Sequence, residues 1–168
     1  MEPAEVGVRA ATFADARAVS SLFKEAFCEF RQFYTTEAYR ATVLDEPAII
    51  HQIKQSRVWV AEYGESIAGT LTAVWKPDCI MLRSMAVRPN ARGLGVGRKL
   101  LQYAERFARD NSCGRLSLYT MRFLKPAIQL YLSAGFRFTD EVEMPHGVEL
   151  LRMVKPLVAE ESIDDSFT

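Results

Sequence analysis

The chain has 168 residues, a length suited to one domain built on one core. Lysines and arginines total 21, as do aspartates and glutamates, so the formal net charge is zero, which argues against a general binder of nucleic acid or of membrane surfaces. The cysteine count is odd, with no Cys-x-x-Cys spacing, and there are two histidines; this disfavours zinc, and no metal is expected, with Cys28, Cys79 and Cys113 read as reduced thiols of a cytoplasmic protein.

Taken in chain order, Met1 to Arg9 lacks the basic-then-apolar pattern of a signal peptide, and no apolar run is long enough to span a bilayer. Val6 to Ala10 is a short β-prone run. Thr12, with Asp15 three residues on, makes a capping-box-like start for a helix to about residue 30, in which Val19, Leu22, Phe23, Ala26, Phe27 and Phe30 recur at helical spacing. A second helical stretch covers about Thr36 to Ile53, with Pro47 as its expected point of breakage. Val58 to Tyr63 and Ile67 to Trp75 read as a hairpin through Gly64-Glu65, followed by a strand from Ile80 to Val87 that Pro89 ends. Val96 to Asn111 is an amphipathic helix with Leu100, Leu101, Ala104 and Phe107 on one face. Arg115 to Thr120 is a strand, Pro126 to Ala134 a helix closed by Gly135, and Phe136 to Glu143 with Val148 to Val154 a second hairpin. The order predicts an α/β (α+β) fold, a mixed sheet flanked by helices, with a strand–helix–strand crossover starting at Ile80. Residues 1–157 form the single domain, and 158–168, carrying Glu160, Glu161, Asp164 and Asp165, read as a mobile acidic tail.

The strongest local signal is Arg92-Gly93-Leu94-Gly95-Val96-Gly97-Arg98, a basic, glycine-rich turn between a strand and a helix. Glycines let the backbone approach a bulky anion and present N–H groups to it, and the helix N-terminus adds partial positive charge. Arg92 and Arg98 can add charge-assisted hydrogen bonds. The spacing is neither that of a P-loop, since Gly97 is followed by Arg98-Lys99-Leu100, nor that of a dinucleotide fingerprint, since the glycines stand at 93, 95 and 97.

At this point the residues resemble a known family. Arg92-x-x-Gly95-x-Gly97 is similar to the acetyl-CoA signature of the GCN5-related N-acetyltransferases, the GNAT superfamily. Ala127-Ile128-Gln129-Leu130-Tyr131-Leu132-Ser133-Ala134-Gly135-Phe136 resembles that family's Ala-x-x-Leu-Tyr-x-x-x-Gly-Phe segment, and Leu151 to Leu157 its closing strand. The resemblance spans about residues 6 to 157. It implies the acyl-CoA N-acyltransferase fold, a mostly antiparallel sheet of about seven strands with about four helices. It also implies transfer of an acetyl group from acetyl-CoA, used as a co-substrate without metal, directly to a primary amine of a small molecule or peptide. Met85, Ala86 and Val87 match the bulged strand that pairs with the pantetheine arm, with the Met85 N–H taken as the group that polarises the thioester carbonyl. Gly93, Leu94, Gly95, Val96, Gly97 and Arg98 would supply the pyrophosphate site, with Arg92 in the signature's first position. Tyr131 matches the general acid for the leaving thiolate. The family implies a monomer or homodimer.

Two positions depart from the family's pattern. Leu124 stands where many members have an asparagine that holds the cofactor arm, leaving Thr120 or Lys125 as replacements. No glutamate stands at either of the family's usual base positions, where this chain has Met81 and Tyr119, so Glu62, Asp78, Glu141, Glu143, His51 and His146 stay open as bases. The acceptor side is expected from the first helices and the last hairpin. Phe33 and Tyr34 are candidates for a pocket wall or lid, and His146 for a group reaching the same cleft, while Phe23, Phe27 and Phe30 read as core. The sequence selects no acceptor. A non-catalytic acyl-CoA-binding sensor is the alternative that Leu124 and the missing glutamates favour.

Overall fold

The computed structural model describes residues 4–157; the expected acidic tail lies outside them. Seven strands form one sheet: β1 Val6–Ala10, β2 Arg57–Tyr63, β3 Ser66–Trp75, β4 Ile80–Val87, β5 Arg115–Thr120, β6 Arg137–Glu143 and β7 Leu150–Pro156. Their spatial order is β1-β2-β3-β4-β5-β7-β6. Every neighbouring pair is antiparallel except β4 and β5, which the crossover helix α4 (Val96–Asp110) joins in parallel. The sequence reading of a mixed, mostly antiparallel sheet with one strand–helix–strand crossover is thus the fold observed.

Strand alternation divides the core in two. On β2, Trp59 and Ala61 point to the face covered by α4, where they join Leu71, Leu82, Leu100, Leu118 and Met153. Val60 points to the opposite face, where Leu22 and Phe23 of α1 (Ala16–Phe27) and Ile49 pack. Each fully buried Leu or Phe contributes about 2 kcal/mol of apolar transfer. At the entry to α1, the Asp15 carboxylate accepts the Thr12 backbone N–H at 2.7 Å and the Arg9 guanidinium at 2.8 Å, so the expected capping residue also ties the helix to β1.

The second helical stretch is two helices, α2 Thr36–Thr42 and α3 Glu46–Gln55. The break comes before Pro47, at Val43, whose backbone (φ −91°, ψ 88°) leaves the helix. The Asp45 side chain then accepts the Ala48 N–H at 3.0 Å and caps α3. Pro47 occupies the first turn, where its missing N–H has no helical acceptor to lose, so it starts a helix instead of breaking one. The first helix ends at Phe27 and continues to Phe33 as 3-10 turns. Helix α5, Lys125–Ser133, ends before Gly135 at φ +100°, as the C-cap reading expects.

Two irregularities open the sheet at its centre. The β4–β5 pairing covers only Ile80–Leu82 against Leu116–Leu118, so from Arg83 onward β4 has no partner on that side. Against β3, the register slips between Thr70↔Ala86 and Thr72↔Arg83, which places Ser84 and Met85 opposite one residue in a β-bulge. Ser84 stands at φ +54°, a left-handed conformation that a non-glycine residue adopts at a cost. Gln52 of α3 holds it there, since the Gln52 amide nitrogen donates to Ser84 Oγ at 3.0 Å and its oxygen accepts from Thr72 Oγ1 at 3.1 Å.

Candidate active site

Helix α4 begins beside the end of β4, and the turn between them forms a cradle. Gly93 and Gly95 sit at φ +80° and +83°, a backbone that L side chains rarely adopt, and a Cβ built on either meets nothing within 4 Å. The open space therefore lies in front of the turn. Gly97 answers a different demand, because a Cβ there would come within 2.5 Å of Leu130 Cδ2 and 3.0 Å of Met85 Cε, so its absence lets α4 lie close to α5 and the bulged strand. A cavity of about 420 Å³ runs along Arg92, Gly93, Gly95, Val96, Gly97 and Arg98 to Pro126 and Leu130.

The two arginines of the turn behave differently. Arg98 is exposed on this cavity and has no ion pair or side-chain hydrogen bond among the described residues. Arg92 also lines it, yet its guanidinium is held by Glu29 at 2.5 Å and by the Ala26 carbonyl at 3.4 Å. It ties the turn to the end of α1 and is charge-compensated before any anion arrives. Arg88 does the same one step earlier, donating to the Ile67 carbonyl at 3.0 Å and pairing with Glu25 at 2.6 Å. Leu94, expected in the cofactor set, is 45% exposed and does not line the cradle.

From the cradle the groove continues into a small apolar chamber of about 120 Å³, lined by Met85, Ala86 and Val87, by Leu124, Ala127 and Leu130, and by Ala26, Phe27 and Phe30. Val87, Arg92, Pro126 and Leu130 are common to the two. Phe27 and Phe30 thus wall the groove and are not simply core; Phe23 alone of the three is buried entirely within it. Leu124 adds apolar wall where the family pattern has an amide.

Phe27, Met85 and Leu124 also line a third cavity, about 560 Å³, which fills the gap where β4 and β5 part. Its polar residues come from distant elements: Tyr34, Thr42, Lys76, Arg83, Ser84, Tyr119, Thr120 and Glu143. The Tyr119 hydroxyl donates to the Glu143 carboxylate at 3.1 Å, and burial, with this bond second to it, raises the Tyr119 phenol above its ordinary range. The hydroxyl oxygens of Tyr34 and Thr120 are buried without a hydrogen-bond partner among the described residues. Burial pushes the Tyr34 phenol up to about 12, and Thr42, though close enough to oppose that shift, completes no hydrogen bond with it. An unpartnered buried hydroxyl costs about 1–3 kcal/mol, and such groups in native proteins call for an explanation.

The other expected residues fall as follows. Tyr131 follows the groove-lining Leu130 but faces the main core, 7% exposed, its ring edge-on to Phe136 at 5.9 Å between centroids; burial alone raises its phenol. Phe33 stacks on Phe123 at 5.2 Å, half exposed, and lines none of the three cavities. His146 sits on an exposed 3-10 turn, its backbone carbonyl accepting the Thr35 hydroxyl at 2.7 Å, and lines none of them either. Of the six candidate bases, Glu62, Asp78 and Glu141 are committed to Arg9, Arg115 and Arg152, His51 and His146 lie elsewhere, and Glu143 lines the cavity. Sequence reasoning missed Arg83, Lys76, Ser84 and Thr42, whose placement depends on the bulge and on the parting of β4 from β5.

The groove fits the co-substrate implied by the sequence on its own features. Open space before the left-handed glycines, an unpaired arginine and a helix N-terminus suit a pyrophosphate, and the apolar chamber suits a pantetheine arm. No cluster of side chains suited to a metal occurs among the described residues. No helix among them is long and apolar enough to cross a membrane.

The model of the acetyltransferase (GNAT) family matches residues 19–136. N-acetyltransferase 8B of Rattus norvegicus is 35% identical over 92 residues, covering 51% of this chain and 41% of that protein. An uncharacterised N-acetyltransferase of Escherichia coli (strain K12) is 36% identical over 102 residues, covering 58% and 60%. The chain thus spans about two fifths to three fifths of the length of these curated relatives. Among solved structures, the PaiA N-acetyltransferase of Thermoplasma acidophilum in complex with coenzyme A has the same fold, with a TM-score of 0.76 at 16% identity, covering 91% of this chain and 99% of that one.

Proposed function

The chain belongs to the acetyltransferase (GNAT) family, and on that footing we propose that it transfers an acetyl group from acetyl-CoA to a primary amine. The observation that carries this reading is the continuity of the groove. The cradle, the apolar chamber and the polar cavity share lining residues in sequence, so a donor seated at residues 93–98 would point its acyl end toward the place where β4 and β5 separate.

Acetyl-CoA supplies an activated thioester and a stable thiol leaving group. The protein's own part is placement, charge stabilisation and proton handling. Gly93, Gly95, Val96, Gly97 and Arg98 would hold the pyrophosphate, while Arg92, already paired with Glu29, keeps the turn in shape. Met85 to Val87 would run beside the arm, and the backbone at Met85, on the bulge that Gln52 fixes through Ser84, would donate to the thioester oxygen as charge develops there. A new C–N bond forms as the C–S bond breaks. The amine loses a proton, for which Glu143 with its Tyr119 partner is the lining carboxylate, and Tyr131 returns one to the departing sulfur. Burial favours the neutral phenol of Tyr131, the form that can give a proton.

The alternative, an acyl-CoA-binding sensor, draws on Leu124 and on the core-facing position of Tyr131. Titration of acetyl-CoA by calorimetry, followed by thiol release with and without amines, separates the two. Binding with amine-dependent release supports the enzyme, binding alone supports the sensor, and no binding rejects both.

A further inference from the structure

Charge divides across the split in the sheet. The cavity between β4 and β5 carries Lys76, after β3, and Arg83, on β4, along one limb, and Glu143 of the edge strand β6 along the other. Tyr34 and Thr120 line the same space, 7% and 3% exposed, with hydroxyls that have no partner among the described residues. Buried hydroxyls are ordinarily paired, so these two are arranged for a polar atom that enters the cavity.

Arg83 is exposed, and what sets it apart is its place, since it is the arginine that lines this cavity. Arg9, Arg88, Arg92, Arg115, Arg122 and Arg152 each hold a carboxylate. Arg83 holds none and makes no side-chain hydrogen bond among the described residues, although it borders a cavity in the middle of the fold. A guanidinium with two hydroxyl donors is a set suited to a carboxylate, which a planar fork of N–H groups can bind through both oxygens. Arg83 also stands two residues before Met85, across the bulge at Ser84, and Met85 lines both this cavity and the donor chamber. A carboxylate held by Arg83 is therefore a few bonds from an amine at the acyl end of the groove, and Glu143 offers the opposite charge to that amine's ammonium form.

We infer that the acceptor is an amine bearing its own carboxylate, of the α-amino-acid class, and that Arg83 is the residue that selects it. The inference rests on the transferase reading above and names the substrate class of the same site.

The test uses the full chain, acetyl-CoA, and matched acceptors: the common α-amino acids, each beside its α-amide. Calorimetric titration of acetyl-CoA runs alongside. At least one amino acid should be acetylated with a kcat/KM about 10-fold or more above its amide, because an amide leaves the guanidinium without a charged partner. Arg83→Met should bring that ratio below about 3-fold, and Arg83→Lys, which keeps the charge but not the fork, should retain part of it. Acetyl-CoA binding with no amino acid used better than its amide overturns the substrate class while leaving the donor site intact. A preference that survives Arg83→Met overturns the role of Arg83. Failure of acetyl-CoA to bind removes the transferase reading and this inference with it.

Discussion

The turn at residues 92–98, proposed to hold the donor, is one continuous stretch of chain that offers mainly backbone N–H, whereas the cavity proposed for the acceptor gathers side chains from α1 to β7. The cradle depends on local rules, glycines at positive φ and a helix N-terminus, and would survive many changes in the surrounding sheet. The cavity depends on a bulge, on a strand pair that stops after three residue pairs, and on an edge strand that contributes Glu143. A fold of this kind can keep its donor fixed while its acceptor drifts, because the two halves are specified by different parts of the chain.

The sharpest way to break that contrast is at Gly95. Gly95→Asp puts a Cβ at φ +83° and a carboxylate before an anion site, and acetyl-CoA affinity measured by calorimetry should fall about 100-fold or more. Gly95→Asn, which tolerates the left-handed backbone and adds no charge, should lose less. Tyr131→Phe belongs to the chemistry instead, and should lower kcat about 100-fold while the dissociation constant for acetyl-CoA stays within about 3-fold. Burial raises the Tyr131 phenol above its ordinary value of about 10, so the proton is retained as pH rises; kcat should show no alkaline limb from this group between about pH 7 and 9.5. A limb in that range that disappears in Tyr131→Phe would contradict the assignment.

Smaller effects separate the halves further. Gln52→Leu removes the hydrogen bonds to Ser84 and Thr72 that hold the bulge. Denaturant unfolding should register a loss of about 1–2 kcal/mol, and kcat should fall about 5- to 10-fold, a larger change than in acetyl-CoA affinity, since the glycine turn at 93–98 lies outside the bulge while Met85 lies on it. Asp15→Asn should act on stability alone. Arg9 holds the Asp15 carboxyl below its ordinary range, so the stabilisation is present above about pH 4 and lost as pH falls through the depressed native value. A loss of about 1 kcal/mol at pH 7 that vanishes in acid, with kcat unchanged, is the expected result.

The same contrast explains what the sequence made legible. The order of strands and helices follows from period-2 and period-3.6 runs, and all seven strands lie where alternation puts them, within two residues at their ends. The cradle was readable because its residues are neighbours in the chain. Pro47 misled because proline signals an interruption without saying whether a helix is ending or beginning; Asp45, two residues earlier, held that information as a cap. Phe33 and His146 were placed by proximity to Tyr34 and to a hairpin tip, but a ring stacked on Phe123 and a turn bonded to Thr35 keep both outside the cavity. Arg83 was not singled out as a site residue, since an arginine on a strand becomes informative only when the sheet opens beside it.

The central claim is that one groove binds acetyl-CoA and delivers its acetyl group to an amine. It is tested most directly by thiol release from acetyl-CoA against a panel of amino acids, peptides, polyamines and aminoglycosides, with Tyr131→Phe run in parallel. The account predicts release that requires an acceptor and collapses in the variant. Release independent of any amine, or no release from a protein that calorimetry shows to be saturated with acetyl-CoA, would contradict it.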